Sequence, residues 1–125
     1  MQFQPKSEQE IADSRLWPRG DYDFVIEDAE QKTSNAGNEM IELTLRLSRN
    51  GNGQSRKLTD YLVAQRAGKL RNCCAACGLL EKYEAGAVND NDFHGKKGRL
   101  KLTVEKKKGY PERNVVADYL TNEAA

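Results

Sequence analysis

Cys73, Cys74 and Cys77 lie within five positions, and His94 is the sole histidine. These are the residue types that could hold zinc or run redox chemistry. Tetrahedral zinc needs four ligands, whereas Cys74-Ala75-Ala76-Cys77 with His94 offers three, and no second C-x-x-C exists. A redox C-x-x-C works at a helix N-terminus, where the dipole favours thiolate. This one falls at the C-terminal end of a predicted helix. The thiols therefore read as small buried hydrophobes. Gly95-Lys96-Lys97-Gly98 lacks the G-x-x-x-x-G-K-[ST] pattern of a phosphate loop and opens a strand. Asp90 and Asp92 fall short of a calcium loop and suit the capping of a helical turn. One histidine without a nucleophile motif leaves acid–base and nucleophilic catalysis unsupported. A non-catalytic protein with no metal and no cofactor is expected.

The other chemistry lies in cations interleaved with aromatic rings. Single-strand nucleic-acid binders need a positive groove that follows phosphates and flat rings on which bases stack. The net charge of +1 hides strong blocking along the chain. Residues 1–45 carry 4 basic and 10 acidic groups. Residues 46–71 carry 7 and 1, and residues 96–113 carry 8 and 2. Blocking of this kind can make a positive face on a nearly neutral protein, and one cationic side is expected. The candidate phosphate contacts are Arg46, Arg49, Arg56, Lys57, Arg99, Lys101, Lys106, Lys107 and Lys108, with Tyr61 and Tyr110 as base platforms. Trp17, the only tryptophan, reads instead as a pin for an N-terminal arm.

These residues must be positioned by strands. Tyr22, Phe24 and Ile26 alternate with polar neighbours over about 20–32, and Ile41, Leu43, Leu45 and Leu47 do so over about 39–49. Ser34-Asn35-Ala36-Gly37-Asn38 and Asn50-Gly51-Asn52-Gly53 are the turns that follow them. A third strand spans about 54–63, with Leu58 and Leu62 inward and Lys57, Thr59 and Tyr61 outward. Arg49 and Arg56 belong to the turns beside it. A helix is predicted over about 64–78, stopped by Gly78, and a loop over 81–95 with one helical turn at Asp90–Phe93. A fourth strand, about 97–105, turns Leu100, Leu102 and Val104 inward. Lys106-Lys107-Lys108-Gly109-Tyr110-Pro111 is a turn, and a fifth strand covers about 112–120 with Val115, Val116 and Tyr119. Ser7-x-x-Glu10 is a capping box for a short helix over about 7–13.

Three strands, one helix, then two strands is the element order of an OB fold. The expected architecture is mainly β: a five-stranded OB-fold-like barrel with one α-helix between strands 3 and 4, plus a short N-terminal arm. Residues 1–19 form the arm, 20–120 the domain and 121–125 a short tail. At 125 residues one domain is long enough to bury about two thirds of its unfolded surface. Charged residues make up 31%, so the surface is very polar, yet the apolar periodicity argues against disorder. No stretch has the length of a membrane span, and the N-terminus lacks an apolar signal region. Three clustered cysteines are no disulfide framework, and a reducing, cytoplasmic setting follows.

The run Gly20-Asp21-Tyr22 … Ile26-Glu27-Asp28-Ala29-Glu30 … Met40-Ile41-Glu42-Leu43, then Asp60-Tyr61-Leu62 … Cys77-Gly78-Leu79, Phe93-His94-Gly95-Lys96 and Asn114-Val115-Val116 … Tyr119 resembles a family of small phage- and prophage-encoded single-stranded DNA-binding proteins. The likeness covers about residues 20–120. It implies an OB-like domain that coats single-stranded DNA in phage DNA replication or recombination, in the bacterial host cytoplasm, without catalysis. Many single-strand binders recruit partners through an acidic tail with a terminal aromatic; this chain ends Thr121-Asn122-Glu123-Ala124-Ala125.

Single-stranded DNA is thus the expected partner, with phage replication or recombination proteins and a homodimer as further associations and no membrane. The alternative is an OB-like protein–protein adaptor of the same machinery, for which the acidic first strand (Asp21, Asp23, Glu27, Asp28, Glu30) speaks.

Overall fold

The computed structural model describes residues 1–8, 10–11, 15–48 and 53–121. Its strands follow the predicted order: β1 (Gly20–Thr33), β2 (Glu39–Ser48), β3 (Ser55–Val63), β4 (Lys97–Glu105) and β5 (Arg113–Leu120). They form one antiparallel sheet in the order β3-β2-β1-β4-β5, so the architecture is mainly β with few helices. No backbone ladder joins the edge strands β3 and β5, and by hydrogen bonding the sheet is open.

Alternation sets the buried face. Ile41, Leu43, Leu45 and Leu47 of β2 are buried against Tyr22, Phe24 and Ile26 of β1 and Leu100 and Leu102 of β4. Val104 and Leu58 are only half-buried. Two bulges adjust this period. Between Ile26 and Asp28 the register slips and Glu27 is the extra residue, so that Ala29 rather than Asp28 returns to the core. A second slip between Leu102 and Lys101 leaves Ala117 over, and Tyr119 rather than Asp118 turns inward.

The core is completed by α1 (Ala67–Ala76), which packs against β5, β3 and β4 and buries Cys73, Cys74 and Ala76. Gly78, at φ +76°, ends it in the left-handed conformation, with Leu79 N–H donating to the Cys74 carbonyl at 2.7 Å. The next segment, predicted as loop, contains a short helix, α2 (Leu80–Glu84). Five residues are too few to carry an apolar stripe, which is why periodicity did not reveal it. The expected turn over Asp90–Phe93 is a 3₁₀ turn, capped reciprocally by Asn89 and Asp92, and it drives Phe93 into the core. In the arm, Ser7 and Glu10 form the expected capping box, and Glu8, Glu10 and Ile11 are helical; positions 9, 12 and 13 lie outside the described residues.

Gly98 is where the helix meets the sheet. A Cβ there would stand 2.9 Å from the Ala76 carbonyl oxygen and 3.3 Å from the Phe24 ring. Both neighbours are held in place, one by the helix and one by the core. Gly98→Ala is therefore expected to cost about 1–3 kcal/mol, read as a lower urea midpoint at unchanged slope. An unchanged midpoint would contradict this close packing.

Side chains cross the gap that the ladder leaves between β3 and β5. At one end Arg56 Nη1 donates to Asn114 Oδ1 at 2.7 Å and to the Arg15 carbonyl at 2.7 Å, while its guanidinium lies 5.9 Å from the Trp17 ring centroid. Asn114 binds the Trp17 backbone at both ends, accepting from its N–H at 2.7 Å and donating to its carbonyl at 2.9 Å. Trp17 is buried and packs on Tyr22, whose hydroxyl donates to the Pro18 carbonyl at 2.6 Å. Further along, the Tyr119 hydroxyl donates to Asp60 Oδ2 at 2.6 Å, and Lys69 Nζ bridges Asp60 Oδ1 at 2.9 Å and the Val116 carbonyl at 3.2 Å. Burial first, and then the neighbouring Cys73 and Asp60, push the Tyr119 hydroxyl well above its usual range, which keeps it a donor.

Candidate nucleic-acid interface

The outer face of β2 and β3 carries the residues that alternation assigned to it. Arg46 stands opposite Lys57, Thr44 opposite Thr59 and Glu42 opposite Tyr61. Lys57 is exposed, and Tyr61 is 46% exposed at the edge of the sheet. On β4, Arg99 and Lys101 face solvent. Lys106, Lys107, Lys108 and Tyr110 occupy the connection between β4 and β5, where Tyr110 is 72% exposed. Arg49 lies outside the described residues.

Arg56 is a correction. It is not a turn residue at the surface but an inward-facing residue of β3, and its guanidinium is committed to Trp17, Arg15 and Asn114. Its Nη1 is engaged by two acceptors inside, so it is no solvated surface cation, although its side chain lines the gap between β3 and β5. Its role is to fasten the arm across the β3–β5 gap.

The expectation of one cationic side is corrected as well. The sheet order puts acidic β1 between basic β4 and β2, on which Arg46 is accompanied by Glu39 and Glu42. Arg46 Nη2 sits 3.4 Å from Glu27 Oε1, and Arg99 Nε sits 3.3 Å from Asp23 Oδ1. Charge blocks along the sequence thus become neighbouring stripes that offset one another, and the outer face is mixed in sign.

A groove of about 760 Å³ runs along the gap between the edge strands. Its walls include Tyr61, Arg66 and Lys69 on one side and Glu105, Pro111 and Arg113 on the other. A second depression of about 370 Å³, lined by Glu105, Lys107, Tyr110, Pro111 and Arg113, shares three of these residues and so continues the first. The two tyrosines singled out from sequence therefore line one continuous path. Arg66 and Arg113 were not singled out, although each lies in a basic block; nothing in the pattern distinguished them from other solvated cations. Both are exposed. Within the path, Lys107 Nζ and Arg113 Nη2 lie 3.4 and 3.5 Å from Glu105 Oε1, Lys106 Nζ lies 3.9 Å from Glu112, and Lys69 is taken by Asp60.

The cysteines are away from this surface. All three are free thiols buried in the core. Burial pushes Cys73 well up and Cys74 to about 11, while the hydrogen bond from Cys73 lowers Cys77. His94 is held against the Ala29 carbonyl at 3.2 Å and Asp28 at 3.6 Å. Among the described residues no group of three His, Cys, Asp or Glu side chains converges as a metal site would require. Nor is any helix among them long and apolar enough to cross a membrane.

No protein-family model matches the chain, and no curated protein sequence matches it.

Proposed function

We propose that this chain is a non-catalytic, largely sequence-independent single-stranded DNA-binding protein. The observation that carries the reading is the path between β3 and β5, along which Tyr61 and Tyr110 offer exposed rings beside Arg66, Lys107 and Arg113. Rings supply stacking surfaces that every base can use, and cations track the backbone; together these make affinity without sequence reading. Tyr61 also belongs to the outer face of β3, where Lys57 adds a cation and Arg46, paired with Glu27, stands opposite it on β2. Lys108 and Lys101 add long-range attraction. A groove of this kind suits a flexible single strand, since a duplex is read by a helix or ribbon in its major groove.

In this reading the curled sheet is an OB-like barrel whose β3–β5 closure is made by side chains instead of a ladder, with α1 plugging one end. The strand order β3-β2-β1-β4-β5 supports it. The resemblance to phage and prophage single-stranded DNA-binding proteins supplies the setting: phage DNA replication or recombination in the cytoplasm of a bacterial host, alongside proteins of that machinery and with a homodimer as a further association. A protein–protein adaptor is the second reading, favoured by Val25, 40% exposed among Asp21, Asp23 and Glu27 on outer β1.

Titration with fluorescent oligothymidine at two salt concentrations tests the proposal. Micromolar binding at low salt is expected, falling with a log–log salt slope of about −3 if roughly four phosphates are contacted. Absence of binding at both salts would favour the adaptor.

A further inference from the structure

Glu105, at the end of β4, stands where the two depressions of the path meet and lines both. One of its oxygens, Oε1, lies between Lys107 Nζ at 3.4 Å and Arg113 Nη2 at 3.5 Å. That is the position a phosphate oxygen of a bound strand must take to use both cations. We propose that Glu105 is an internal competitor for the phosphate backbone and sets the affinity of the groove. The inference rests on the nucleic-acid reading of that groove.

The geometry separates Glu105 from the other acids nearby. Glu112 approaches a single cation, Lys106, at 3.9 Å. Asp60 is held by Tyr119 and Lys69 and braces the fold. Glu105 alone of the three lies between two cations of the path. Its side chain is 30% exposed, whereas those of Lys107 and Arg113 are each 65% exposed. The carboxylate is thus seated while the cations above it are open to solvent. Both separations exceed the roughly 2.7–2.9 Å of a tight charge-assisted hydrogen bond, so the contact is loose enough for a ligand to displace. After displacement the carboxylate still lies beneath the phosphate and repels it. Glu105 therefore weakens binding twice: its single charge partly offsets two cations in the free protein and opposes the anion in the complex.

Glu105→Gln keeps the shape and removes the charge. Its affinity for fluorescent oligothymidine at low salt is expected to rise about three- to tenfold, the scale of two partly exposed charge contacts. Its salt slope should steepen by about 0.7 for each further phosphate that the freed cations neutralise. Glu81→Gln, on α2 and outside the groove, makes the same change in net charge and is expected to stay within about twofold of wild type. Adding Lys107→Ala and Arg113→Ala to Glu105→Gln should abolish the increase, and melting curves of all variants establish that each is folded. Wild-type binding with Glu105→Gln no tighter than Glu81→Gln overturns the competitor role and leaves the nucleic-acid reading standing. No binding by either wild type or Glu105→Gln at low salt overturns that reading and this inference with it.

Discussion

Replacing Asn114 with alanine is expected to lower the melting temperature by about 10 °C, the equivalent of roughly 3 kcal/mol in a domain of this size. The side chain is 4% exposed, and its amide serves the arm and both edge strands. Its Oδ1 accepts from Trp17 N–H and Arg56 Nη1, and its Nδ2 donates to the Trp17 and Thr103 carbonyls. Alanine removes all of these partners from one buried place. Each lost bond costs about 1 kcal/mol net, and more where a buried donor is left without an acceptor. Because no ladder joins β3 to β5, nothing in the backbone compensates at that end of the gap. Arg56→Ala should destabilise to a similar extent, as the other half of the same contact. A thermal melt followed by circular dichroism measures both. A shift of less than about 2 °C for Asn114→Ala would mean that the arm is not fastened as described.

Tyr61→Ala and Tyr110→Ala are each expected to weaken oligothymidine binding by about 1–3 kcal/mol, or five- to 150-fold, with little change in melting temperature. Neither ring is part of the core: they are 46% and 72% exposed. Stability and affinity should therefore separate, in contrast with Asn114 and Arg56. Phenylalanine at either position should retain most of the affinity, because stacking uses the ring face and not the hydroxyl. The rings stand in different parts of the path, so their effects should be nearly additive. Measured by anisotropy at low salt, an alanine variant indistinguishable from wild type would remove that ring from the interface.

The strands were legible because their signals are local. The alternation of Ile41, Leu43, Leu45 and Leu47 fixes both the strand and its buried face, and Gly78 ends the helix where expected. What was not legible depends on contacts distant in sequence. The bulges at Glu27 and Ala117 change which residue returns to the core, and no local pattern marks them. Arg56 reads as a surface cation until Trp17, 39 positions earlier in the chain, is placed over its guanidinium. The charge blocks were real, but strand order decides which stripes touch, and it set Asp23 and Glu27 against Arg99 and Arg46. The paired tyrosines were found from residue type. Arg66 and Arg113 were not singled out because no local pattern sets them apart from other solvated cations, although Arg113 shares a depression with Tyr110 and Arg66 a groove with Tyr61.

One measurement bears most directly on the nucleic-acid path: oligothymidine binding by the wild-type chain and by the double variant Tyr61→Ala/Tyr110→Ala, compared by anisotropy in the same low-salt buffer. The expected result is saturable micromolar binding by the wild type and affinity at least about 30-fold weaker in the double variant, both with the same melting temperature. Superimposable binding curves, or no binding by the wild type, would contradict a nucleic-acid path between β3 and β5.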